Sequence, residues 1–133
     1  MLEIDKITSS IKRKPINAYI FMTCVCLYLL NEACFKHIDV YISCLFFNYY
    51  FNDCLASLLF FSYSNILLLT RGHEIIKLKQ LWGATFINSI LWEYVAALVK
   101  TNSVTDNYDI LCYFFSSTVY WALLKANKRR IIK

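Results

Sequence analysis

Four long apolar runs, each set between charged or turn-forming residues, limit what this chain can fold into. They span residues 16–33 (INAYIFMTCVCLYLLNEA), 52–70 (NDCLASLLFFSYSNILLLT), 80–99 (QLWGATFINSILWEYVAALV) and 109–124 (DILCYFFSSTVYWALL). A helix that crosses ~30 Å of hydrocarbon needs about 20 mostly apolar residues. The first three runs approach that length, and the fourth is expected to extend into its flanks. Composition agrees: 59% of the 133 residues are apolar and 17% are charged. A soluble domain has about 45–50% apolar and about 25% charged residues, so this chain carries too little charge to cover a globule of its size. The expected fold is all-α, an integral membrane four-helix bundle occupying residues 15–125 as one domain.

Basic residues set the expected orientation. Alternating spans place Lys6, Lys12, Arg13, Lys14, Arg71, Lys77, Lys79, Lys125, Lys128, Arg129, Arg130 and Lys133 on one side, which is 12 of the 14 basic residues. Lys36 and Lys100 fall on the other. The basic side of a membrane protein is cytoplasmic, so both termini are expected inside. The net charge of +5 then reads as topology and attraction to anionic inner-leaflet lipids. Arg13, Lys14, Arg71, Lys128, Arg129 and Arg130 are the expected contacts to lipid or to a partner. Nucleic acid is not an expected partner, because its recognition needs a folded basic surface with groove or stacking geometry.

The flanking segments are less constrained. In residues 1–14, Ile4, Ile7 and Ile11 form one helical stripe, which suits an amphipathic helix on the inner leaflet; a disordered cytoplasmic N-terminus is the alternative. Pro15 is expected to start the first span. Residues 38–51 read as an interfacial or re-entrant segment, or as part of a long tilted helix. Residues 126–133 read as a basic cytoplasmic tail.

The acidic residues carry the chemical signal. Six of the nine, Glu32, Asp39, Asp53, Glu93, Asp106 and Asp109, fall in the outer half of this topology. An ionisable side chain among lipid tails costs about 2.5–3.5 kcal/mol or more, so it faces a bundle interior or a wet cavity. Ser89 lies one turn before Glu93 on the same face, and Phe86 continues that face. Asp53, Ser57 and Ser64 form a polar stripe on the second run. Two such stripes facing each other predict an outward-opening acidic pocket bounded by Asp53, Glu93 and Asp109. Asn52, Asn88, Ser89 and Trp92 belong to its surroundings. It suits a divalent cation held through oxygen ligands, a cationic or hydroxyl-rich headgroup, or proton exchange. The plainer reading makes Glu93 a neutral or paired packing residue and Asp109 the N-cap of the fourth span.

Other chemistry finds little support. The six cysteines form no C-x-x-C pair and read as small buried apolar side chains, although a Cys34–Cys44 disulfide is conceivable. His37 and His73 fall on opposite sides, so they share no metal within one subunit. No G-x-S-x-G, H-E-x-x-H, P-loop or G-x-G-x-x-G motif occurs. No cofactor is expected beyond a divalent cation, and the metal identity is open.

From Trp92 to about Leu124 the chain resembles the VanZ-like group of small bacterial membrane proteins. A glutamate in one span (Glu93), a polar outer loop and an aspartate opening the last span (Asp109) carry the resemblance. It departs from the family pattern at Ala97, Tyr113 and Ser116. The resemblance implies a four-span fold in a bacterial cytoplasmic (inner) membrane with an acidic outward site. The leading functional expectation is a nonenzymatic protein whose pocket takes a cation or an envelope or lipid headgroup. The alternatives are an oligomeric pore-forming or membrane-disrupting subunit, or an accessory anchor that binds a membrane-protein partner through its basic face.

Overall fold

Pro15 separates the first two helices of the chain. Proline lacks an N–H and fixes φ near the helical value, so it opens a helix readily and interrupts one running into it. Accordingly α1 (Glu3–Arg13) stops before it and α2 (Pro15–Ala33) begins with it. Three helices follow: α3 (Phe51–Thr70), α4 (Leu78–Val99) and α5 (Asn107–Ile131). The computed structural model describes residues 3–34, 47, 50–99 and 107–131, and no strand occurs among them. Within these, the side chains of residues 3, 93, 94, 96–99, 107, 130 and 131 are not described.

The helices start and stop within two residues of the apolar runs, except that α5 continues to Ile131. Residues 126–131, expected as part of a separate basic tail, are thus the last turns of a helix. Of the expected interfacial or re-entrant segment 38–51, only 47, 50 and 51 are described, and Phe51 opens α3. Cys44 also lies outside the described residues. The N-terminal segment is helical from Glu3, but its inward residue is Ser10, while Ile4 is 72% exposed.

A glycine ends α3. Gly72 takes φ +75°, a conformation that costs a residue with a Cβ and favours glycine. There its N–H bonds Leu69 O at 3.1 Å and the His73 N–H bonds Leu68 O at 3.0 Å. This is the paired closure of a Schellman cap, and it turns the chain back toward α4.

Packing follows a serial order. α3 lies between α2 and α5, α4 packs on α5 and hardly touches α3, and α1 lies across α2 and α3. Asn31 meets Asn52, whereas Asn17 meets Tyr120 beside Asn65, so α2 runs antiparallel to α3. Tyr113 meets Asp53 and Tyr120 meets Asn65, so α3 and α5 run parallel. The α1–α2 junction, the 71–77 loop and the end of α5 therefore gather at one end of the bundle, here termed the basic end.

The distribution of polarity is inverted relative to a water-soluble fold. Ile20, Leu55, Phe61, Leu81 and Tyr120 are buried, but so are Asn17, Asn31, Ser57, Ser62, Asn65, Ser116 and Ser117. Outside, Met22, Leu29, Ile87, Leu91, Leu111 and Phe115 are each more than half exposed. Soluble domains bury large aliphatic side chains and keep exposed apolar patches small. Among the described residues, two helices, Pro15–Ala33 and Phe51–Thr70, are long and apolar enough to cross a membrane. α5 ends in Lys and Arg, which lower its mean hydropathy, whereas α4 is on average as apolar as α2 and α3.

The buried amides define how the helices register. Asn65 Nδ2 donates to Tyr120 Oη at 2.7 Å and to Ile75 O at 3.0 Å, while Asn65 Oδ1 accepts from Ile75 N at 2.8 Å. Tyr120 Oη in turn donates to Asn17 Oδ1 at 2.8 Å, with Phe61 O at 3.3 Å. One side chain thus clamps the 71–77 loop to α3, and a second ties α5 to α2. Beside this knot Lys14 forms an ion pair with Glu74. At the other end Asn31 Nδ2 donates to Asn52 Oδ1 at 2.9 Å and to Phe47 O at 2.9 Å. Fourteen residues separate Asn17 from Asn31, and thirteen separate Asn52 from Asn65. At 1.5 Å per residue these are about 21 Å and about 20 Å, which matches two rungs of one antiparallel pair.

Replacing Tyr120 by Phe removes the hydroxyl that Asn65, Asn17 and Phe61 O share and leaves the whole Asn17 amide without a partner. The expected cost is about 1–2 kcal/mol, read as a lower midpoint in a denaturant titration. Tyr19→Phe, at a position 69% exposed, is expected to leave the midpoint unchanged.

Candidate functional site

Because α3 and α4 both lean on α5 without packing on each other, a wedge opens between them. It encloses about 290 Å³. Asp53, Ala56, Ser57 and Phe60 line it from α3, and Thr85, Asn88, Ser89 and Trp92 line it from α4. Each set follows the i, i+3, i+4, i+7 spacing that brings side chains to one face of a helix. Phe61 completes the α3 wall and Tyr113 of α5 closes the end near Asp53.

Burial grades through the cleft. Ser57, Phe61, Thr85 and Ser89 are buried at its floor, and Ala56, Phe60 and Trp92 are exposed at its rim. Asp53, Asn88 and Tyr113 are half-buried. The floor is therefore largely hydroxylic and the rim apolar.

The hydroxyls are already oriented. Thr85 donates to Leu81 O at 2.9 Å and Ser89 to Phe86 O at 2.9 Å. A hydroxyl has one proton to give, so both present acceptor oxygens to their surroundings. Tyr113 Oη donates to Asp53 Oδ1 at 3.2 Å, which joins α5 to α3 at the carboxylate. The cleft offers acceptors at Asp53, Thr85 and Ser89, with the Asn88 amide and the Trp92 indole N–H as donors beside them. It contains one described carboxylate.

The structure sorts the sequence-derived candidates. Asp53, Asn88, Ser89 and Trp92 share the cleft. Asn52, expected beside them, turns about 100° away along α3, as adjacent helical residues do; it accepts from Asn31 and donates to Glu32 Oε1 at 3.1 Å. Asp109 is half-buried one turn before Tyr113 on α5 and does not line the cleft. Glu93 belongs to α4 next to Trp92, but its side chain lies outside the described residues. Phe86, expected on the face of Ser89, is 57% exposed; Thr85 takes the inward place.

Among the basic candidates, Arg13, Arg71, Lys128 and Arg129 are exposed, and Arg130's side chain lies outside the described residues. Lys14, expected to contact lipid or a partner, is instead engaged by Glu74. No group of three or more His, Cys, Asp or Glu side chains gathers as a metal site among the described residues.

Five cleft residues escaped the sequence reading, the apolar Ala56, Phe60 and Phe61 and the polar Thr85 and Tyr113. Thr85 stands four residues before Ser89 and was visible as part of that stripe. Tyr113 is one of the positions where the chain departs from the VanZ-like pattern, and it is the residue that reaches Asp53. No protein-family model, curated protein or solved structure matches the chain.

Next to the Asp53–Tyr113 contact, Cys54 of α3 and Cys112 of α5 line one apolar pocket. Mild oxidation with copper phenanthroline is expected to join these two, read by mass spectrometry as a disulfide-linked peptide pair. Cys54→Ser should abolish that product, while a Cys24 or Cys34 cross-link in its place would contradict the parallel α3–α5 register.

Proposed function

We propose that the protein spans a bacterial cytoplasmic membrane four times, with both ends of the chain inside, and binds an amphiphile in the cleft between α3, α4 and α5. The inverted polarity supports the membrane setting, since Leu29, Ile87, Leu91, Leu111 and Phe115 cover the outside while amides and hydroxyls fill the inside. The helix directions support the topology, since α1, the 71–77 loop and the end of α5 share the basic end. Positively charged loops favour the cytoplasm.

The observation that carries the binding role is the cleft's own polarity. Its floor offers the Thr85 and Ser89 oxygens, the half-buried Asp53 carboxylate stands above them, and its rim is Phe60, Ala56 and Trp92. A ligand that presents donors or positive charge to the floor and hydrocarbon to the rim matches both. The gap between α3 and α4 gives such a molecule a lateral way in from the bilayer. An ammonium headgroup suits the described lining better than a divalent cation, since calcium takes six to eight oxygen ligands and one described carboxylate stands here. The VanZ-like resemblance would add Glu93 and Asp109, which stand on two of the lining helices, beyond Trp92 and Tyr113. The role proposed is recognition rather than catalysis.

Trp92 supplies the assay. In the detergent-solubilised full chain, dodecylamine is expected to shift tryptophan emission saturably, and Trp92→Phe should remove that shift. Asp53→Asn should weaken that binding about tenfold, the order of one charge-assisted hydrogen bond. Equal binding of dodecanoate, or no effect of Asp53→Asn, would reject the assignment.

A further inference from the structure

A second cavity lies at the basic end, away from the cleft. It occupies about 410 Å³ between α1 and the last turn of α3, and its wall includes Lys6, Ser9, Arg13, Leu69, Thr70 and Gly72. Lys6 and Arg13 are seven residues apart, which puts both on one face of α1, about 10 Å apart along its axis. Both are exposed.

The electrostatics of this cavity are one-sided. Among the described residues the ion pair joins Lys14 to Glu74, and neither Lys6 nor Arg13 forms one there. Among the described residues, no carboxylate lines the cavity. Ser9 and Ser10 donate to Lys6 O at 2.8 and 2.9 Å and Thr70 to Leu67 O at 2.6 Å, so the three hydroxyl protons at the cavity are committed to helix carbonyls. The donors left to meet a ligand are the ammonium of Lys6 and the guanidinium of Arg13. Leu69 adds one apolar side chain to the lining.

We infer that this cavity holds the phosphate of an anionic phospholipid from the cytoplasmic leaflet. The inference rests on the membrane reading above, which sets the cavity at headgroup depth: Arg13 precedes the start of α2 by two residues, and Thr70 is the last residue of α3. Two cations on one helix face match a phosphate oxyanion, with guanidinium giving paired N–H donors and ammonium a compact charge. The apolar Leu69 side chain distinguishes a lipid from free phosphate, since acyl-chain methylenes gain from contact with it and an inorganic anion does not. Lys14, held by Glu74, serves as the strut that fixes α1 against the 71–77 loop and so shapes the cavity.

Native mass spectrometry of the full chain in mild nonionic detergent tests this. Added phosphatidylglycerol is expected to remain bound where phosphatidylcholine does not, and millimolar inorganic phosphate should not displace it. The Lys6→Gln/Arg13→Gln pair should lower phosphatidylglycerol retention about 30-fold, from the usual worth of two basic residues near an anionic lipid surface. Lys12→Gln/Lys79→Gln removes the same charge from exposed positions outside the cavity and should leave retention near the original level. Equal losses from the two pairs, or displacement by inorganic phosphate, would overturn the lipid site while leaving the membrane reading intact. A chain that stays soluble and monomeric without detergent would overturn the membrane reading, and this site with it.

Discussion

Three buried polar side chains from three helices, Asn17, Asn65 and Tyr120, meet in the interior, and the helix arrangement follows from pairing Asn65, Tyr120 and the Asn17 oxygen. The Asn17 Nδ2 has no partner among the described residues. Buried amides and hydroxyls must find partners, because an unpaired one costs more than a typical hydrogen bond gains. Asn65 meets this demand by pairing with both backbone groups of Ile75, which fixes the 71–77 loop under the bundle. Tyr120 meets it by bridging to Asn17. Together with the Asn31–Asn52 contact, this locks α2, α3 and α5 at two levels.

α4 lies outside that arrangement. It attaches to α5 through Trp82, whose Nε1 donates to Thr118 Oγ1 at 3.1 Å and whose ring meets Phe114 edge-on. No such bridge links α4 to α3 among the described residues, and the cleft occupies the space between them. The two cavities have opposite polarity. The cleft offers acceptors under an apolar rim, whereas the cavity at the basic end offers two cations beside Leu69. In the proposed bilayer, one would favour positive headgroups in the outer half and the other negative headgroups at the inner face.

Much of this was legible in the sequence where polar residues are scarce. Helix extents followed from the apolar runs, with Pro15 and Gly72 as punctuation. Asp53, Ser57, Asn88 and Ser89 stood out because almost everything around them is apolar. Which face turns inward was harder to read, since these helices are apolar on nearly every side and have no clear hydrophobic stripe. The inward direction is set by single polar residues finding partners on other helices, and a sequence does not display its partners. Asn17, Asn31 and Asn65 looked merely tolerated, yet they are the fixings. Asn52 was grouped with its neighbour Asp53, but a partner on α2 draws it the other way. On α1 the isoleucine stripe pointed to one face, whereas packing against α3 buries Ser10.

The central claim is that hydrocarbon, rather than water, solvates the outer faces of these helices. Spin labels placed at Met22, Ile87, Ile90, Leu111 and Phe115 in a cysteine-free chain reconstituted into liposomes test it directly. High collision rates with oxygen and low rates with a water-soluble nickel chelate are expected at all five positions. High nickel accessibility along these faces would contradict the account.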